Sequence, residues 1–139
     1  MKPKKSTVYD CSLIQLPQVN AEGGNITSIN NQIEICFETR RVYYLYDVPG
    51  GEARGGHGHR ELQQLIVAAT GSFDLTIDDG LVKRTFNLNR PNIGVHMPAG
   101  LWRELHNFSS GSICLVLASM EYSEDDYIRD YEEFIKFKK

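Results

Sequence analysis

Short runs of alternating apolar and polar residues, separated by turn residues, make up most of the chain. The runs end at glycine, proline, asparagine or aspartate, and short strands spaced in this way are typical of an antiparallel sandwich or barrel. The Asp78-Asp79-Gly80 sequence predicts a tight hairpin, because glycine accepts the positive φ that such turns require. The predicted strands are residues 8–16, 32–37, 41–47, 62–70, 72–77, 82–88, 101–108 and 113–119.

The C-terminal segment has a different pattern, in which apolar residues recur at spacings of three and four. Ser123 is followed by three acidic residues, which predicts a helix N-cap with acids in the first turn. The lysines at 136, 138 and 139 suit the C-terminal end of such a helix. We expect this amphipathic helix to be a packed lid with a solvated outer face rather than a partner surface.

Composition limits the classes of protein that need to be considered. A length of 139 residues predicts a single domain spanning 1–139, and a net charge of −3 is unsuited to a general nucleic-acid or anionic-membrane binder. The longest apolar run, 65–69, is too short to cross a membrane, and no signal peptide is recognisable. Three cysteines without a Cys-x-x-Cys pair indicate buried free thiols and a cytoplasmic location.

The densest candidate chemistry is the segment from Arg54 to His59, which reads Arg-Gly-Gly-His-Gly-His. Residues i and i+2 of a strand point to the same side, so His57 and His59 are expected to project together into one enclosed space. A single histidine is most often a packing or surface residue. Two histidines at this spacing, approached by glycines, favour a functional site.

This segment resembles the first motif of the cupin superfamily, in which His-x-His is followed at fixed spacing by glutamate and glycine. Here the sequence continues to Gln64 and Gly71, and Pro98-x-Gly100 leads to Arg103 and Asn107 in the spacing of the second motif. The resemblance implies an all-β jelly-roll barrel, here with a short C-terminal α-helix.

Two of the four positions that hold metal ligands in cupins carry other residues here. Gln64 replaces the glutamate and Arg103 replaces the third histidine. A guanidinium has no free lone pair and repels a cation, so we expect no metal and no other cofactor. Two imidazoles and a fixed cation instead suit proton abstraction beside a carbonyl, through an enediolate. A cupin that only binds a ligand is the alternative.

A closer resemblance is to the dTDP-sugar 3,4-ketoisomerases among the WxcM-like cupins. It runs from about residue 8 to about residue 137 through an ordered series of segments: 40–47, 54–59, 102–105, 115–119 and 125–131. It implies conversion of dTDP-4-keto-6-deoxy-D-glucose to a dTDP-3-keto-6-deoxyhexose, which supplies an aminotransferase in the synthesis of 3-amino-3,6-dideoxy sugars for surface glycans, including lipopolysaccharide, or for a glycosylated metabolite. It also implies a metal-free homodimer.

The residues divide the chemistry as follows. His59 is expected to remove the proton at carbon 3 and His57 to shuttle protons between the oxygens, although the reverse assignment is open because sequence gives no distances. Arg103 would stabilise the enediolate. By the resemblance, arginine at this position favours a product of gluco configuration at carbon 4. Gly23 departs from the larger side chain that relatives tend to carry there, which weakens this stereochemical expectation.

The nucleotide diphosphate requires cationic contacts, and the chain has no P-loop. Arg41 and Arg54 match basic positions of the family, and guanidinium groups suit phosphate oxygens. Tyr43 shares the strand parity of Arg41 and is expected to face the same cavity. Two alternatives stay open: a cupin sugar-nucleotide epimerase, which would add a tyrosine acid, and a non-catalytic sugar-nucleotide-binding cupin, which would not need paired histidines.

Overall fold

A computed structural model describes residues 2–139. Two five-stranded antiparallel sheets face each other and enclose the main hydrophobic core. Sheet I has the strand order β1-β9-β6-β11-β4, with β1 Ser12–Gln15, β9 Ile93–Met97, β6 Gln64–Thr70, β11 Ile113–Ala118 and β4 Arg41–Leu45. Sheet II has the order β12-β5-β10-β7-β8, with β12 Tyr127–Ile128, β5 Arg54–His59, β10 Trp102–His106, β7 Phe73–Asp78 and β8 Lys83–Leu88. The predicted jelly-roll is confirmed, as two packed sheets.

The smaller elements lie around this sandwich. β2 Val19–Ala21 and β3 Gly24–Ile26 form a separate two-stranded hairpin, and the α-helix α1 covers Tyr131–Lys138. Short 3₁₀ turns occupy Pro3–Lys5, Val8–Asp10 and Glu124–Asp126. Within residues 2–139, no helix has the length and the apolar character needed to cross a membrane.

Alternation along the strands of sheet I separates two apolar layers. On β6, Ile66 and Ala68 enter the core between the sheets, whereas Leu65 and Val67 enter a second cluster on the outer face. Leu16, Ile35 and Phe37 cover that outer face. A cavity lined by residues of β4, β5 and β10 opens between the sheets, and the candidate site lies there.

Most strand predictions are confirmed, but the predicted strand at residues 32–37 is wrong. Gln32 has a φ of +62°, a left-handed conformation that ends an extended run, and the segment forms turns. Ile35 and Phe37 are buried against the outer face of sheet I instead. Strand β9 and the β2–β3 hairpin were missed, and Val8–Asp10 at the start of the first predicted strand is a 3₁₀ turn.

The predicted helix exists, but its start is wrong. Ser123 makes no capping hydrogen bond to a helix. The chain after it makes a 3₁₀ turn and then pairs Tyr127 and Ile128 with β5, which commits this stretch to a sheet edge. The α-helix begins at Tyr131, where the Asp130 carboxylate accepts a hydrogen bond from the N–H of Glu133.

The three cysteines are all free. Cys11 and Cys114 are buried as expected, but Cys36 is exposed, so the prediction of three buried thiols is wrong for that residue.

Candidate active site

The two predicted imidazoles lie side by side on β5, in the interior between the sheets. The ring centroids of His57 and His59 are 5.0 Å apart and the rings are nearly perpendicular. Arg103 on β10 is the backbone partner of His57. The predicted shared face of the two histidines is confirmed, and Arg103 projects from the same face because residues directly opposite each other in an antiparallel pair do so.

The glycines before the histidines allow close packing on the other face of β5. Trp102 belongs to a buried cluster with Ile128 and Phe134 beneath the C-terminal helix. A Cβ at Gly56 would lie 2.5 Å from Nε1 of Trp102, so only glycine lets the indole lie against the strand. Trp102, whose parity on β10 is opposite to that of Arg103, is therefore a packing residue.

A buried carboxylate orients one of the imidazoles. The Nδ1–H group of His59 donates to Oδ2 of Asp126 over 2.8 Å, and both side chains are almost inaccessible. The Asp126 carboxylate also accepts hydrogen bonds from the N–H groups of Glu61 at 2.6 Å and Leu62 at 3.3 Å. This arrangement places the proton of a neutral His59 on Nδ1 and leaves Nε2, which has no partner, as an acceptor.

Burial and charge keep both imidazoles neutral. Desolvation, followed by the positive charge of Arg103 and by the neighbouring His59, lowers the pKa of His57 to about 2. Desolvation also lowers the pKa of His59, against the opposing effect of its bond to Asp126. Burial would raise the pKa of Asp126, but the hydrogen bonds from His59 and the two N–H groups hold it below its usual value. The site therefore holds two free bases and one anion at neutral pH.

Arg103 is held in place by a tyrosine. Its side chain is 3% exposed, and Nη2 donates to the hydroxyl of Tyr43 over 3.0 Å. Nε of Arg103 is buried without a partner. Tyr43 faces inward from β4, as its parity predicted, and burial raises its pKa, so the phenol stays protonated. A positive charge with unused donor capacity thus lies beside His57.

His57, Arg103 and Tyr43 border a cavity of about 590 Å³. His57 lines it, whereas His59 is 1% exposed and lies behind, against the ring of Tyr127. The other lining groups that carry charge or a hydroxyl are Tyr43, Arg54, Arg103, Tyr127 and Arg129. The volume is within the range of small-molecule binding sites.

The two predicted phosphate-binding arginines have different surroundings. Arg54 is exposed and lines the cavity. Arg41 is half-buried, its guanidinium lies 5.0 Å from the centroid of the Tyr43 ring, and its Nε and Nη2 atoms are buried without partners. In the part of the chain that the structure describes, neither arginine forms an ion pair. Both cations therefore have donors free for an anion.

Three residues near the imidazoles were missed as site residues, because their segment was predicted to be helical. They are Asp126, Tyr127 and Arg129. The ring centroid of Tyr127 lies 5.2 Å from that of His57 and 4.6 Å from that of His59. Arg129 lies over Tyr127 and makes a bidentate ion pair with Glu124 at 2.6 and 2.8 Å. The only available signal was the 125–131 segment of the family resemblance.

The remaining histidines lie outside the site. His106 shares a hydrogen bond with Thr76 on the outer face of sheet II, away from Arg103. His96 bonds to Gln63 beside the outer cluster of sheet I and does not face the interior. Among residues 2–139, no group of three or more His, Cys, Asp or Glu side chains could hold a metal ion.

The fold and the site define the class of protein. It is a cupin whose interior carries paired neutral imidazoles, a buried aspartate and a fixed arginine, in place of a metal-ligand set with three histidines and a glutamate.

Comparison with known proteins gives the family. The sequence profile of the family described as WxcM-like, C-terminal (FdtA) matches residues 9–139. A TDP-4-oxo-6-deoxy-alpha-D-glucose-3,4-oxoisomerase of Aneurinibacillus thermoaerophilus is 37% identical over 125 residues, which cover 90% of each chain. The chain belongs to the WxcM-like family of sugar 3,4-ketoisomerases, as the resemblance indicated.

Solved structures agree. The TDP-quinovose 3,4-ketoisomerase WlaRB of Campylobacter jejuni superimposes with a TM-score of 0.88 at 37% identity, covering 93% of this chain and 99% of that one. A histidine-to-asparagine variant of the 3,4-ketoisomerase QdtA from Thermoanaerobacterium thermosaccharolyticum, in complex with TDP-4-keto-6-deoxyglucose, superimposes with a TM-score of 0.89 at 33% identity, covering 94% of each chain.

Proposed function

We propose that this chain is a single catalytic domain that converts dTDP-4-keto-6-deoxy-D-glucose to a dTDP-3-keto-6-deoxyhexose without a metal ion. The observation that carries the proposal is the pair of neutral imidazoles, of which His57 lines a cavity of about 590 Å³ and His59 lies behind it, bound to Asp126. Membership of a ketoisomerase family supports the reaction type.

His57 is the base that meets carbon 3, because it lines the cavity whereas His59 lies behind it. The sequence favours His59 as the base at carbon 3 and leaves the reverse assignment open; we adopt that reverse assignment. The carbon 3–hydrogen bond breaks, its electron pair forms the carbon 3–carbon 4 double bond, and the former keto oxygen takes the negative charge. His57 holds the proton and returns it to carbon 4, so carbon 3 is oxidised and carbon 4 is reduced within one molecule.

His59 serves the oxygens. The carbon-3 hydroxyl must lose its proton and the carbon-4 oxygen must gain one. Nε2 of His59 accepts the proton while Asp126 stabilises the imidazolium that forms, and then His59 donates it. Arg103 stabilises the enediolate charge, and its bond to Tyr43 fixes its orientation before the reaction begins.

Arg54, which lines the cavity with Tyr43, and Arg41, which lies against the Tyr43 ring outside that lining, bind the diphosphate. The buried, unpartnered Nε and Nη2 atoms of Arg41 support this role, because a guanidinium held away from water needs an anion. The product has gluco configuration at carbon 4. Arg103 and the similarity to a TDP-quinovose ketoisomerase, whose sugar is a 6-deoxyglucose, support this assignment.

The enzyme works as a homodimer. Val42 and Tyr44 on the edge strand β4, and Tyr46 directly after it, are 55%, 56% and 62% exposed. An apolar strip on a sheet edge requires protection from non-specific pairing, and a second copy of the chain supplies it. Light scattering after gel filtration checks the stoichiometry.

The enzyme acts in the cytoplasm, in the synthesis of 3-amino-3,6-dideoxy sugars for surface glycans such as lipopolysaccharide. Three free cysteines support a reducing compartment. A 3-keto product is the form that an aminotransferase requires. No nucleic acid or membrane is among the partners, which agrees with the net charge of −3.

Proton NMR of the protein with dTDP-4-keto-6-deoxyglucose in deuterated water, after exhaustive chelation, tests the proposal. A 3-keto product with ring couplings of gluco configuration is expected. Retention of the 4-keto group with exchange at carbon 3 or carbon 5 would identify an epimerase instead, an alternative favoured by the tyrosines Tyr43 and Tyr127 beside the site. Binding without exchange would identify a non-catalytic module. Activity that requires added metal would contradict the metal-free mechanism.

A further inference from the structure

Gln64 is a buried amide that the proposed mechanism does not use. Its side chain is 1% exposed, and neither Nε2 nor Oε1 has a hydrogen-bond partner. It is the first residue of β6, where Ile66 and Ala68 face the interior and Leu65 faces the outer cluster. By alternation, the carboxamide of Gln64 points into the space between the sheets.

Gln64 is not among the residues that line the cavity, but two features place its carboxamide in the interior on the side where Arg41 and His59 lie. Gln64 pairs with Ala118, and Ala118 pairs with Arg41, so these side chains form one inward row across sheet I. The side chain of Ala118 is small, so it leaves space between the side chains of Arg41 and Gln64. The connection from His59 to Gln64 is also fixed by Asp126, which accepts the N–H groups of residues 61 and 62 while it holds His59.

A primary amide offers two donors and two acceptor lone pairs, and burying them unpaired is unfavourable. Such a group persists where a ligand pairs with it. Adjacent keto and hydroxyl oxygens of a sugar match it, since the N–H group donates to the keto oxygen and the amide oxygen accepts from the hydroxyl. The amide is uncharged, so it does not repel the enediolate as a carboxylate in the same place would.

We propose that Gln64 binds the oxygens on carbons 3 and 4 of the sugar and is a further substrate-binding and catalytic residue. The proposal rests on the proposed function, because it assumes a dTDP-sugar whose hexose reaches the imidazoles.

The test compares Gln64→Met and Gln64→Glu with Gln63→Met. Gln63 is the adjacent glutamine, but it bonds to His96 on the outer side of sheet I. For each variant, calorimetry gives Kd for dTDP and for dTDP-glucose, which lacks the keto group and does not react. Steady-state assays in the presence of a chelator give kcat and KM, and thermal unfolding checks the fold.

In Gln64→Met we expect unchanged affinity for dTDP, about tenfold weaker binding of dTDP-glucose, and at least a tenfold loss of kcat/KM. Its thermal midpoint should not fall, because an unpaired buried amide is removed. Gln64→Glu should lose about 100-fold in kcat through repulsion of the enediolate, and Gln63→Met should match the unmodified enzyme.

Unchanged dTDP-glucose binding and unchanged kcat/KM in Gln64→Met would overturn the proposal. An unmodified chain without ketoisomerase activity would instead refute the proposed function. The dTDP-glucose affinities would still decide whether Gln64 touches the hexose.

Discussion

Replacing Asp126 by asparagine tests the role of the buried carboxylate with minimal change of shape. The asparagine oxygen can still accept the N–H groups of Glu61 and Leu62. Its NH₂ group faces Nδ1 of His59 and can only donate there, so the neutral imidazole must carry its proton on Nε2. His59 then presents a donor to the cavity where the mechanism needs an acceptor.

The expected effects differ in size for stability and for activity. The charge-assisted hydrogen bond of 2.8 Å between His59 and Asp126 becomes a neutral one. We expect the free energy of unfolding to fall by about 2 kcal/mol as a result. For 139 residues, an unfolding entropy of about 0.3 kcal/mol/K converts this to a fall of about 7 °C in Tm. Loss of a positioned general base lowers kcat by about 100- to 10,000-fold.

The assay measures kcat and KM for the keto sugar below the Tm of the variant, with nitrogen NMR of the imidazoles to report the tautomer. Asp125→Asn is the matched control, because Asp125 is adjacent and exposed and should leave both Tm and kcat unchanged. A folded Asp126→Asn variant with Nε2 protonated and an undiminished kcat would refute the role assigned to His59.

Three further predictions follow from burial and charge. The pKa of His57 is about 2 in the folded protein and 6.5 ordinarily. Between pH 6.5 and pH 2, the imidazole of His57 is therefore protonated in the unfolded state but not in the folded state. The free energy of unfolding therefore falls with decreasing pH, by up to about 1.4 kcal/mol per unit, and urea titrations should show a shallower fall in His57→Asn. Arg41→Ala should weaken dTDP binding about 10- to 100-fold by calorimetry, whereas Arg40→Ala, an exposed arginine paired with Glu38, should not. Gly56→Ala should lower Tm by about 3–10 °C through its clash with the indole, whereas Gly55→Ala, with open space around it, should change Tm little; equal Tm values would contradict the packing argument.

The sequence predicted correctly those features of the fold and of the site that depend on residues close together in the chain. The alternation that predicted β4, β7, β8 and β11 depends on neighbouring residues, and the His-x-His spacing fixes a shared face without further information. The cupin motif spacing added the pairing of Arg103 with these histidines, which the backbone register of β5 and β10 confirms.

The contacts that were missed are those between distant parts of the chain. Asp126 lies 67 residues from His59, and its own neighbourhood has the acidic, amphipathic pattern of a helix start. Pairing with the free edge of β5 overrides that local preference at residues 127–128. The apolar residues at 32–37 show the same effect, because burial of Ile35 and Phe37 against sheet I, rather than strand pairing, accounts for them.

The edge strand β12, which completes the site, is one of the last elements of the chain to be synthesised. Both histidines and Arg103 leave the ribosome well before Asp126 and Tyr127, which must then dock against a sheet edge formed by β5. Domains fold as units once their long-range partners are available. In the proposed mechanism, a chain that ends before residue 126 lacks the carboxylate that orients His59, so we expect such truncated chains to be inactive on the sugar nucleotide.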